Sequence, residues 1–259
     1  MNLLRRVDHA FDMTKSEGFE AEADFSASRT TERQLAISLR RIASQIGHLV
    51  MGTHDGTLDS AFRLAGMLAQ YAETIGPWAV ASVQRIHAEV AARDRKQWRI
   101  ASARIGKELR REIETAPTGT VMRHLLAEQV GLIKSIPLEA ANRVHELTVQ
   151  NIIGGQRSGN MLDEIMRQGD VSRSKATLIA RTETSRTASV LTQVRAEHVG
   201  SPGYTWRSVM DSRTRPSHRR LNNTFHRWNE PPECDPGYHA HAGQIFACRC
   251  WCQPVLPPY

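Results

Sequence analysis

The residues best suited to chemistry in this chain of 259 residues are cysteines and histidines near its C-terminal end. All four cysteines follow residue 233, and two histidines stand between the first cysteine and the other three. The candidate metal ligands are Cys234, His239, His241, Cys248, Cys250 and Cys252. Thiolate sulfur and imidazole nitrogen are ligands that zinc prefers in proteins. Metal binding is therefore the first chemistry to consider.

The spacing of the last three cysteines limits how they could share one ion. In an extended segment, alternate residues lie about 6 to 7 Å apart, and the outer two cysteines would lie about 13 Å apart. Thiolates bound to one zinc ion lie less than about 4 Å apart. Only an adjacent pair could then serve, together with Cys234 and one of the two histidines. The sequence predicts a structural zinc site at Cys234, His239, Cys248 and Cys250.

The cysteines also allow two other interpretations. Their spacing lacks the paired Cys-x-x-Cys or His-x3–5-His of a standard zinc ribbon or finger. They could be small buried thiols that pack with Trp251 and Ile245. Cys234 could instead form a disulfide with the tail, although cytoplasmic cysteines normally stay reduced. No cofactor is therefore certain from the sequence.

A second group of polar residues lies between Asp211 and His218. Asp211 can cap a turn by accepting backbone hydrogen bonds, and Pro216 can begin a short helical turn that carries His218. Ion pairs between this segment and a preceding helix would make their junction rigid. The predicted structural polar network consists of Arg181, Glu183, Asp211, Arg213, Arg215 and His218.

The alternative for this region is a metal-dependent nuclease or other processing enzyme. Histidine can activate water, and basic neighbours can hold a phosphate. The residues involved would be His218, His226 and Asp211, with Asn222 or Asn223. The His-x3-Asn-x3-His spacing is far too compressed for the familiar His-Asn-His nuclease layout, and no Gly-x-Ser-x-Gly motif points to a serine hydrolase. A non-enzymatic role is therefore the main prediction.

Helices are predicted for most of the chain before Pro202. Apolar residues recur every three or four positions over 35–49 and 58–75, which is the helical period. Pro137 fits the first turn of a helix and is expected to open a new one. The longest helical pattern covers 172–198.

After Pro202 the pattern changes to the alternation of a β-strand. Tyr204, Trp206 and Ser208 alternate with their neighbours, and short strands are also predicted around 224–228 and 245–252. The predicted fold class is α+β: a mainly helical N-terminal region, then a long helix and a small C-terminal α+β module with short antiparallel strands. The predicted parts are a flexible arm at 1–27, a helical region at 28–153, a linker at 154–160 and the C-terminal module at 161–259.

The chain is basic, with a formal net charge of +7 from 34 Lys and Arg against 27 Asp and Glu. Many basic residues fall on one side of the third predicted helix, which we call the basic face: Arg93, Arg95, Lys96, Arg99, Arg104, Lys107, Arg110 and Arg111. Such a face is usually only solvated. The functional interpretation is a surface for DNA phosphates or for an acidic partner, because arginine pairs well with phosphate and carboxylate.

The sequence gives no sign of a membrane protein. It lacks the roughly 18 uninterrupted apolar residues that a membrane helix needs. Its opening residues lack the apolar core of a signal peptide. We therefore expect the chain to stay in the cytoplasm, without a membrane partner.

Three pieces of sequence occur in a characteristic order. The first is Ile179-Ala-Arg-Thr-Glu-Thr184 on a predicted helix. The second is Trp206 followed by Asp211-Ser-Arg-Thr-Arg-Pro-Ser-His218 and Leu221-Asn222. The third is a proline-rich interval that ends in Gly243 and Cys248-Arg-Cys250 before Pro254. Together they resemble the Mu F-like head morphogenesis proteins of tailed phages and prophages, also called minor head or minor capsid proteins.

The chain departs from that family's pattern in two places. Asn223 stands where the family often has glycine after Leu-Asn, so a tight turn here requires asparagine in a left-handed conformation. The sequence between Trp228 and His241 also differs, which leaves Cys234 and His239 without a role taken from the family. The first 160 residues show no comparable resemblance.

The resemblance implies a virion protein present in few copies per head and associated with the portal vertex. It implies a role in head morphogenesis, DNA packaging or ejection, and no established catalytic activity. The expected partners are the portal protein, the major capsid or scaffolding protein, and packaged double-stranded DNA. The expected location is the virion head near the portal, and the host bacterial cytoplasm during assembly. The helical region at 28–153 would then dock on the portal or capsid.

Overall fold

A computed structural model describes residues 19–104, 111, 114–154 and 158–257. The long helices are α1 (Arg29–Thr53), α2 (Leu58–Thr74), α3 (Gly76–Ala101), α4 (Thr118–Gly154) and α5 (Ser158–His198). The remaining elements are β1 (Phe19–Glu20), β2 (Gly203–Arg207), α6 (Pro216–Leu221), β3 (Phe225–Arg227), β4 (Glu233–Asp235), β5 (Tyr238–His239) and β6 (Trp251–Leu256). The predicted α+β class is confirmed, because a mainly helical part and a long helix precede a module of short antiparallel strands.

Helix α1 shows how the sequence pattern produces the helical part. The side chain of Ser28 caps the helix by accepting a hydrogen bond of 3.2 Å from the Thr31 backbone N–H. This bond satisfies one of the free N–H groups of the first turn. The predicted apolar stripe, including Leu39 and Ile46, is buried, and α1 packs along α5. Helix α2 packs in the same way along α4.

Pro137 lies inside α4, so the predicted start of a new helix at this residue is wrong. A proline inside a helix removes a backbone hydrogen bond and costs about 3 kcal/mol. The neighbouring Ile133 and Ile136 are each 1% exposed, and α4 packs against both α2 and α5. Full burial of such a side chain stabilises the fold by about 1.5–3 kcal/mol, which offsets the cost of the proline.

Helix α5 begins earlier than the predicted start at Ser172. Its first residue is Ser158, inside the predicted linker at 154–160, and α4 ends at Gly154. Residues 155–157 of that linker lie outside the described residues. No described helix is both long and apolar enough to cross a lipid bilayer.

The main sheet has four antiparallel strands in the order β1-β6-β2-β3. Strand β2 lies between β6 and β3, with Tyr204 opposite Pro254 on one side and His226 on the other. Strands β4 and β5 form a separate two-stranded sheet. The strands predicted after Pro202 and around 224–228 are confirmed.

The strand predicted over 245–252 is only partly present, because β6 begins at Trp251. Residues 242–247 form turns, and 248–250 have no regular structure. Ala247 has φ 56°, a left-handed conformation that cannot continue a strand. The cysteines at 248 and 250 therefore do not lie on an extended segment.

The segment before α1 is part of the folded module rather than the flexible arm expected at 1–27. Strand β1 pairs with β6, and Ala21 and Phe25 are buried. Phe25 packs edge-on against Trp98 of α3, with ring centroids 5.1 Å apart. These apolar contacts hold residues 19–27 in place, whereas residues 1–18 lie outside the described residues.

Two apolar cores share their long helices. Helix α5 contributes Ala176 and Leu191 to the core of the helical part and Ala196 to the core beneath the sheet. Helix α3 likewise contributes Trp98 to the second core. A buried ion pair of 2.6 Å between Asp94 and Arg195 joins these helices between the cores. The sheet module therefore rests directly on α3 and α5.

Candidate functional site

His218, Cys248 and Cys250 form a buried group that we call the Cys-His cluster. His218 Nδ1 lies 3.6 Å from Cys248 Sγ and 3.4 Å from Cys250 Sγ. Each residue offers one ligand atom, and these atoms lie within 4.8 Å of one another. None of the three residues is more than 4% exposed. Two thiols and one imidazole therefore meet at a single point inside the module.

Helix α6 positions the imidazole of the cluster. Pro216 occupies the first turn of this helix, as predicted, and its fixed backbone angle suits that position. His218 follows on the buried side and packs edge-on against Trp206 of β2, with ring centroids 5.4 Å apart. Trp206 is itself fully buried, so the orientation of the histidine ring is fixed by packing.

A bent segment before β6 positions the two thiols. The Cys248 N–H donates to the Ile245 carbonyl at 3.1 Å, and the Ala247 N–H donates to Thr182 Oγ1 of α5 at 3.0 Å. The Cys250 N–H then donates to Cys248 Sγ at 3.4 Å. Because the segment is bent rather than extended, both sulfur atoms reach the same imidazole.

Two residues with positive φ form turns next to the cluster, one before β6 and one between α6 and β3. Gly243 has φ 85°, and a Cβ atom there would lie 3.0 Å from the Cys250 carbonyl oxygen. Asn223 has φ 66°, as expected for the residue that stands where the family often has glycine. Both positions favour residues that tolerate the left-handed region.

The two thiols of the cluster differ in acidity. The hydrogen bond with Cys248 lowers the pKa of Cys250, burial opposes this, and the contact with His218 lowers the pKa further. The hydrogen bond with Cys250, together with burial, raises the pKa of Cys248. The pair therefore favours a thiolate on Cys250 and a thiol on Cys248.

Asp235 lies on the other side of the histidine ring. Its carboxylate accepts a hydrogen bond of 2.7 Å from Ser217 Oγ, and Arg215 Nη1 lies 3.2 Å from it. His218 Nε2 is 4.0 Å from Asp235 Oδ1 and has no hydrogen-bond partner among the described residues. The carboxylate is thus held close to a buried ring nitrogen that lacks a hydrogen-bond partner among the described residues.

The predicted polar network is divided into separate groups in the structure. Arg181 pairs with Glu32 of α1 at 3.1 Å instead of with Asp211. Glu183 accepts a hydrogen bond of 3.1 Å from Gln129 of α4. These residues therefore join α5 to other helices and do not reach the turn at 211–218.

Asp211 is held by Arg249, which was not among the predicted residues of the polar network. Two guanidinium nitrogens of Arg249 donate to its two carboxylate oxygens at 2.6 Å each. Arg213, the predicted partner, lies 3.7 Å away and is largely exposed. The carboxylate also caps its own turn, as predicted, by accepting from the Arg213 N–H at 3.1 Å. The sequence feature that could have identified Arg249 as a site residue is its position between the two cysteines of the Cys-Arg-Cys motif.

The predicted zinc ligands come together only in part. Cys248 and Cys250 belong to the Cys-His cluster, but Cys234 and His239 do not. The Cys234 thiol donates to the Tyr238 carbonyl at 3.4 Å, and the exposed His239 ring contacts the Pro231 carbonyl at 3.2 Å. Cys248 and Cys250 meet with His218 instead, which lies 30 residues before Cys248 and outside the cysteine-rich tail that the spacing describes.

The other cysteine and histidine of the tail are packed elsewhere in the module. Burial raises the pKa of Cys252 to about 12, and its thiol donates to the Ala242 carbonyl at 3.5 Å. His241 is buried beside Tyr204, with 3.1 Å between its Nδ1 and the tyrosine hydroxyl. All four cysteines are free thiols in the structure, so it contains no disulfide from Cys234 to the tail.

The residues of the alternative nuclease site do not converge. His226 packs against Tyr204 and Trp206, and its Nε2 lies 2.7 Å from Thr224 Oγ1. Asp211 is occupied by Arg249. Within the described part of the chain, the group able to hold a metal contains neither His226 nor Asp211.

Part of the basic face makes contacts within the protein. Arg93 pairs with Asp24 at 2.6 Å and donates to the Ser26 carbonyl at 3.1 Å. The side chains of Arg95, Lys96, Arg99 and Arg111 are exposed. Lys107 and Arg110, and the side chain of Arg104, lie outside the described residues.

Comparison with known proteins gives two matches. Residues 142–253 match the family model described as "Phage Mu protein F like protein". An uncharacterized protein of Haemophilus influenzae is 30% identical to this chain over 171 residues, which cover 66% of the chain. The matched part is 36% of that relative, so the chain spans about a third of its length. No solved structure matches the chain.

The family match covers more than the three pieces that carried the resemblance. It begins in the second half of α4 and contains all of α5, the Cys-His cluster, the Asp211–Arg249 pair and the first half of β6. The resemblance to the Phage Mu F-like family is thus confirmed over residues 142–253.

Proposed function

We propose that this chain is a phage minor head protein that acts at the portal vertex in head morphogenesis, DNA packaging or ejection. The observation that carries the proposal is the family match, because it includes the buried framework of the C-terminal module. The proposed role depends on binding to other proteins and to DNA, not on catalysis. The proposed location is the virion head near the portal, and the bacterial cytoplasm during assembly.

The distribution of exposed apolar side chains supports docking through the helical part. Most large exposed apolar residues lie on its helices: Ile37, Met51, Leu58, Phe62, Met67, Trp78, Ile100, Leu132, Leu138, Ile152 and Ile153. Phe62 is 63% exposed and Ile153 is 81% exposed. Exposed apolar side chains are suited to contacts with another protein. We assign this surface to the portal protein, or to the major capsid or scaffolding protein.

The proposal is tested by co-expressing the chain with the portal protein of the same phage and isolating the portal at low salt. We expect the chain to copurify with the portal. Phe62→Ser combined with Ile153→Ser should reduce the copurified amount several-fold, because it removes apolar contact area from the helical part.

A matched control is Met210→Ser combined with Phe246→Ser, which removes two exposed apolar side chains from the C-terminal module. This variant should copurify like the unmodified chain. If the unmodified chain associates with neither portal, procapsid nor DNA at low salt, the proposed function is wrong.

A further inference from the structure

The atoms of the Cys-His cluster have the spacing of metal ligands. Zinc binds sulfur at about 2.3 Å and nitrogen at about 2.05 Å, so a sulfur and a nitrogen on one tetrahedral ion lie about 3.6 Å apart. The two distances from His218 Nδ1 to the cysteine sulfurs are 3.6 Å and 3.4 Å. We propose that His218 Nδ1, Cys248 Sγ and Cys250 Sγ bind one Zn²⁺ ion.

Hydrogen bonds alone leave this arrangement incomplete. A neutral imidazole nitrogen either donates one hydrogen bond or accepts one through its single lone pair. Here two sulfur atoms approach the same nitrogen, His218 Nδ1, at similar distances. The nitrogen can form a hydrogen bond with only one of the two sulfur atoms. A metal ion between the three atoms can be bound by both sulfur atoms and by the nitrogen.

Both sulfur atoms have polar groups within hydrogen-bonding distance. The Cys250 N–H donates to Cys248 Sγ at 3.4 Å, and Ser208 Oγ lies 3.3 Å from Cys250 Sγ. Hydrogen-bond donors to the ligand atoms are a regular feature of metal sites, because they orient the ligands and adjust their charge. The side chains of the cluster are buried in the module.

Asp235 completes the site from behind the histidine. A zinc-bound histidine usually donates its second N–H to a carboxylate or carbonyl. His218 Nε2 faces Asp235 Oδ1 at 4.0 Å, and Ser217 and Arg215 hold that carboxylate in place. Binding through Nδ1 would place the proton on Nε2, so the buried nitrogen that lacks a hydrogen-bond partner would face the Asp235 carboxylate as an N–H group.

The three ligands leave one tetrahedral position for a fourth. All three ligand residues line a cavity of about 190 Å³, together with Arg213, Arg215 and Arg249. We assign this position to a water molecule, since the cavity has room for one and polar groups to bind it. The ion would connect α6, which carries His218, to the turn before β6, which carries Cys248 and Cys250.

The first test measures metal content. The full chain is produced with zinc in the medium, purified under reducing conditions without a chelator, and analysed by plasma mass spectrometry. We expect about one zinc per chain, and a lower melting temperature after the metal is removed. The proposal is overturned if the purified chain holds no stoichiometric metal and the metal-free, reduced chain takes up no Zn²⁺ in a titration.

Single substitutions then separate this ligand set from the one expected from sequence spacing. Cys248→Ser, Cys250→Ser and His218→Gln should each abolish stoichiometric zinc binding. Cys234→Ser and His239→Gln are the matched controls and should keep it. Loss of zinc in the controls, with retention in the cluster variants, would place the ion elsewhere and overturn the assignment.

Cobalt substitution keeps the test valid if a variant fails to fold. The unmodified chain is loaded with Co²⁺, and its absorption spectrum is recorded. We expect thiolate-to-cobalt charge-transfer bands and the intense visible bands of a tetrahedral site with two thiolates. A spectrum without thiolate bands, or with the weak visible bands of octahedral cobalt, would overturn the proposal.

Discussion

At the scale of single residues, the bidentate pair between Asp211 and Arg249 connects two segments of the Mu F-like module. Two parallel hydrogen bonds of 2.6 Å fix the guanidinium against the carboxylate. Such fork-like pairs combine charge with a defined geometry. Arg249 stands between the two thiols of the Cys-His cluster, so this pair also orients the turn that carries them.

Asp211→Asn tests the charge of this pair without removing the turn cap, because the amide oxygen can still accept from the backbone. The hydrogen bond with Arg249 lowers the pKa of Asp211 below its usual range. The folded state therefore resists protonation, and the stability from the charged pair is present above about pH 4 and lost as the pH falls further. We expect the variant to melt at a lower temperature at pH 7.

The pH dependence provides the control for this prediction. The difference in melting temperature between the unmodified chain and Asp211→Asn should shrink as the pH is lowered from 5 to about 2. A difference that stayed constant over this range would mean that the carboxylate charge is not what stabilises the turn.

The local backbone roles of the site residues could be predicted from the sequence, whereas the side chains that they contact could not. Asp211 as a turn cap, Pro216 at a helix start and Asn223 in a left-handed turn could each be predicted, because these roles depend on local backbone chemistry. The convergence of His218 with Cys248 and Cys250 could not. It depends on the bend at Ala247 and on the packing of α6 against β2, which are tertiary features.

At the scale of elements, a buried chain of polar side chains joins three helices. His87 Nε2 of α3 lies 2.8 Å from Gln129 Oε1 of α4. The Gln129 amide nitrogen donates to Glu183 at 3.1 Å and to Thr187 at 3.0 Å, both on α5. Because the Gln129 oxygen can only accept, His87 Nε2 is the donor. The side-chain amide of Gln129 therefore forms hydrogen bonds with polar side chains of both α3 and α5.

Replacing Gln129 with leucine should destabilise the protein. The substitution leaves His87 and Glu183 without this partner, and an unsatisfied buried polar group costs about 1–3 kcal/mol. We expect a loss of about 2–4 kcal/mol in the free energy of unfolding, measured by urea denaturation. The control is Gln150→Leu, at an exposed position of the same helix, which should change it by less than about 0.5 kcal/mol. Equal effects of the two substitutions would contradict this role.

Helices and strands could be predicted where the apolar residues followed either the helical or the strand period alone. The apolar stripe of α1 and the alternation in β2 appear in the structure as expected. The predictions failed at Pro137, where packing on both sides of α4 keeps a helix intact, and at 245–250, where turns replace a strand. Asp94 lies among the charged residues of the basic face in the sequence, yet its side chain is buried and pairs with Arg195, 101 residues later in the chain. Local patterns do not contain such distant contacts.

At the scale of the whole molecule, the helical part presents two kinds of exposed surface. The apolar surface of the helices suits protein docking, whereas Arg95, Lys96 and Arg99 are exposed near the end of α3 that reaches the module. We propose that double-stranded DNA contacts the basic face.

The prediction for this face concerns salt. Binding of double-stranded DNA should weaken steeply as salt rises and show little sequence preference. Reversing the charge of Arg95, Lys96 and Arg99 to glutamate should reduce the slope of log affinity against log salt by about 0.9 for each phosphate contact removed. Fluorescence anisotropy with a labelled duplex measures this slope.

The control reverses the same number of charges elsewhere, at the exposed Arg40, Arg41 and Arg123. This variant has the same net charge but an intact basic face, so its salt slope should stay close to that of the unmodified chain. If both variants reduce the slope equally, binding depends on net charge and not on this surface.

The pairing of β1 with β6 has a consequence for how the protein is made. Phe19 lies opposite Leu256, and Gln253 donates to the carbonyl of Ala23, 230 residues earlier in the chain. A ribosome synthesises β1 long before its partner strand exists. Until β6 emerges, the backbone groups of β1 remain unpaired and open to pairing with other chains. The four-stranded sheet can therefore close only after β6 has been synthesised.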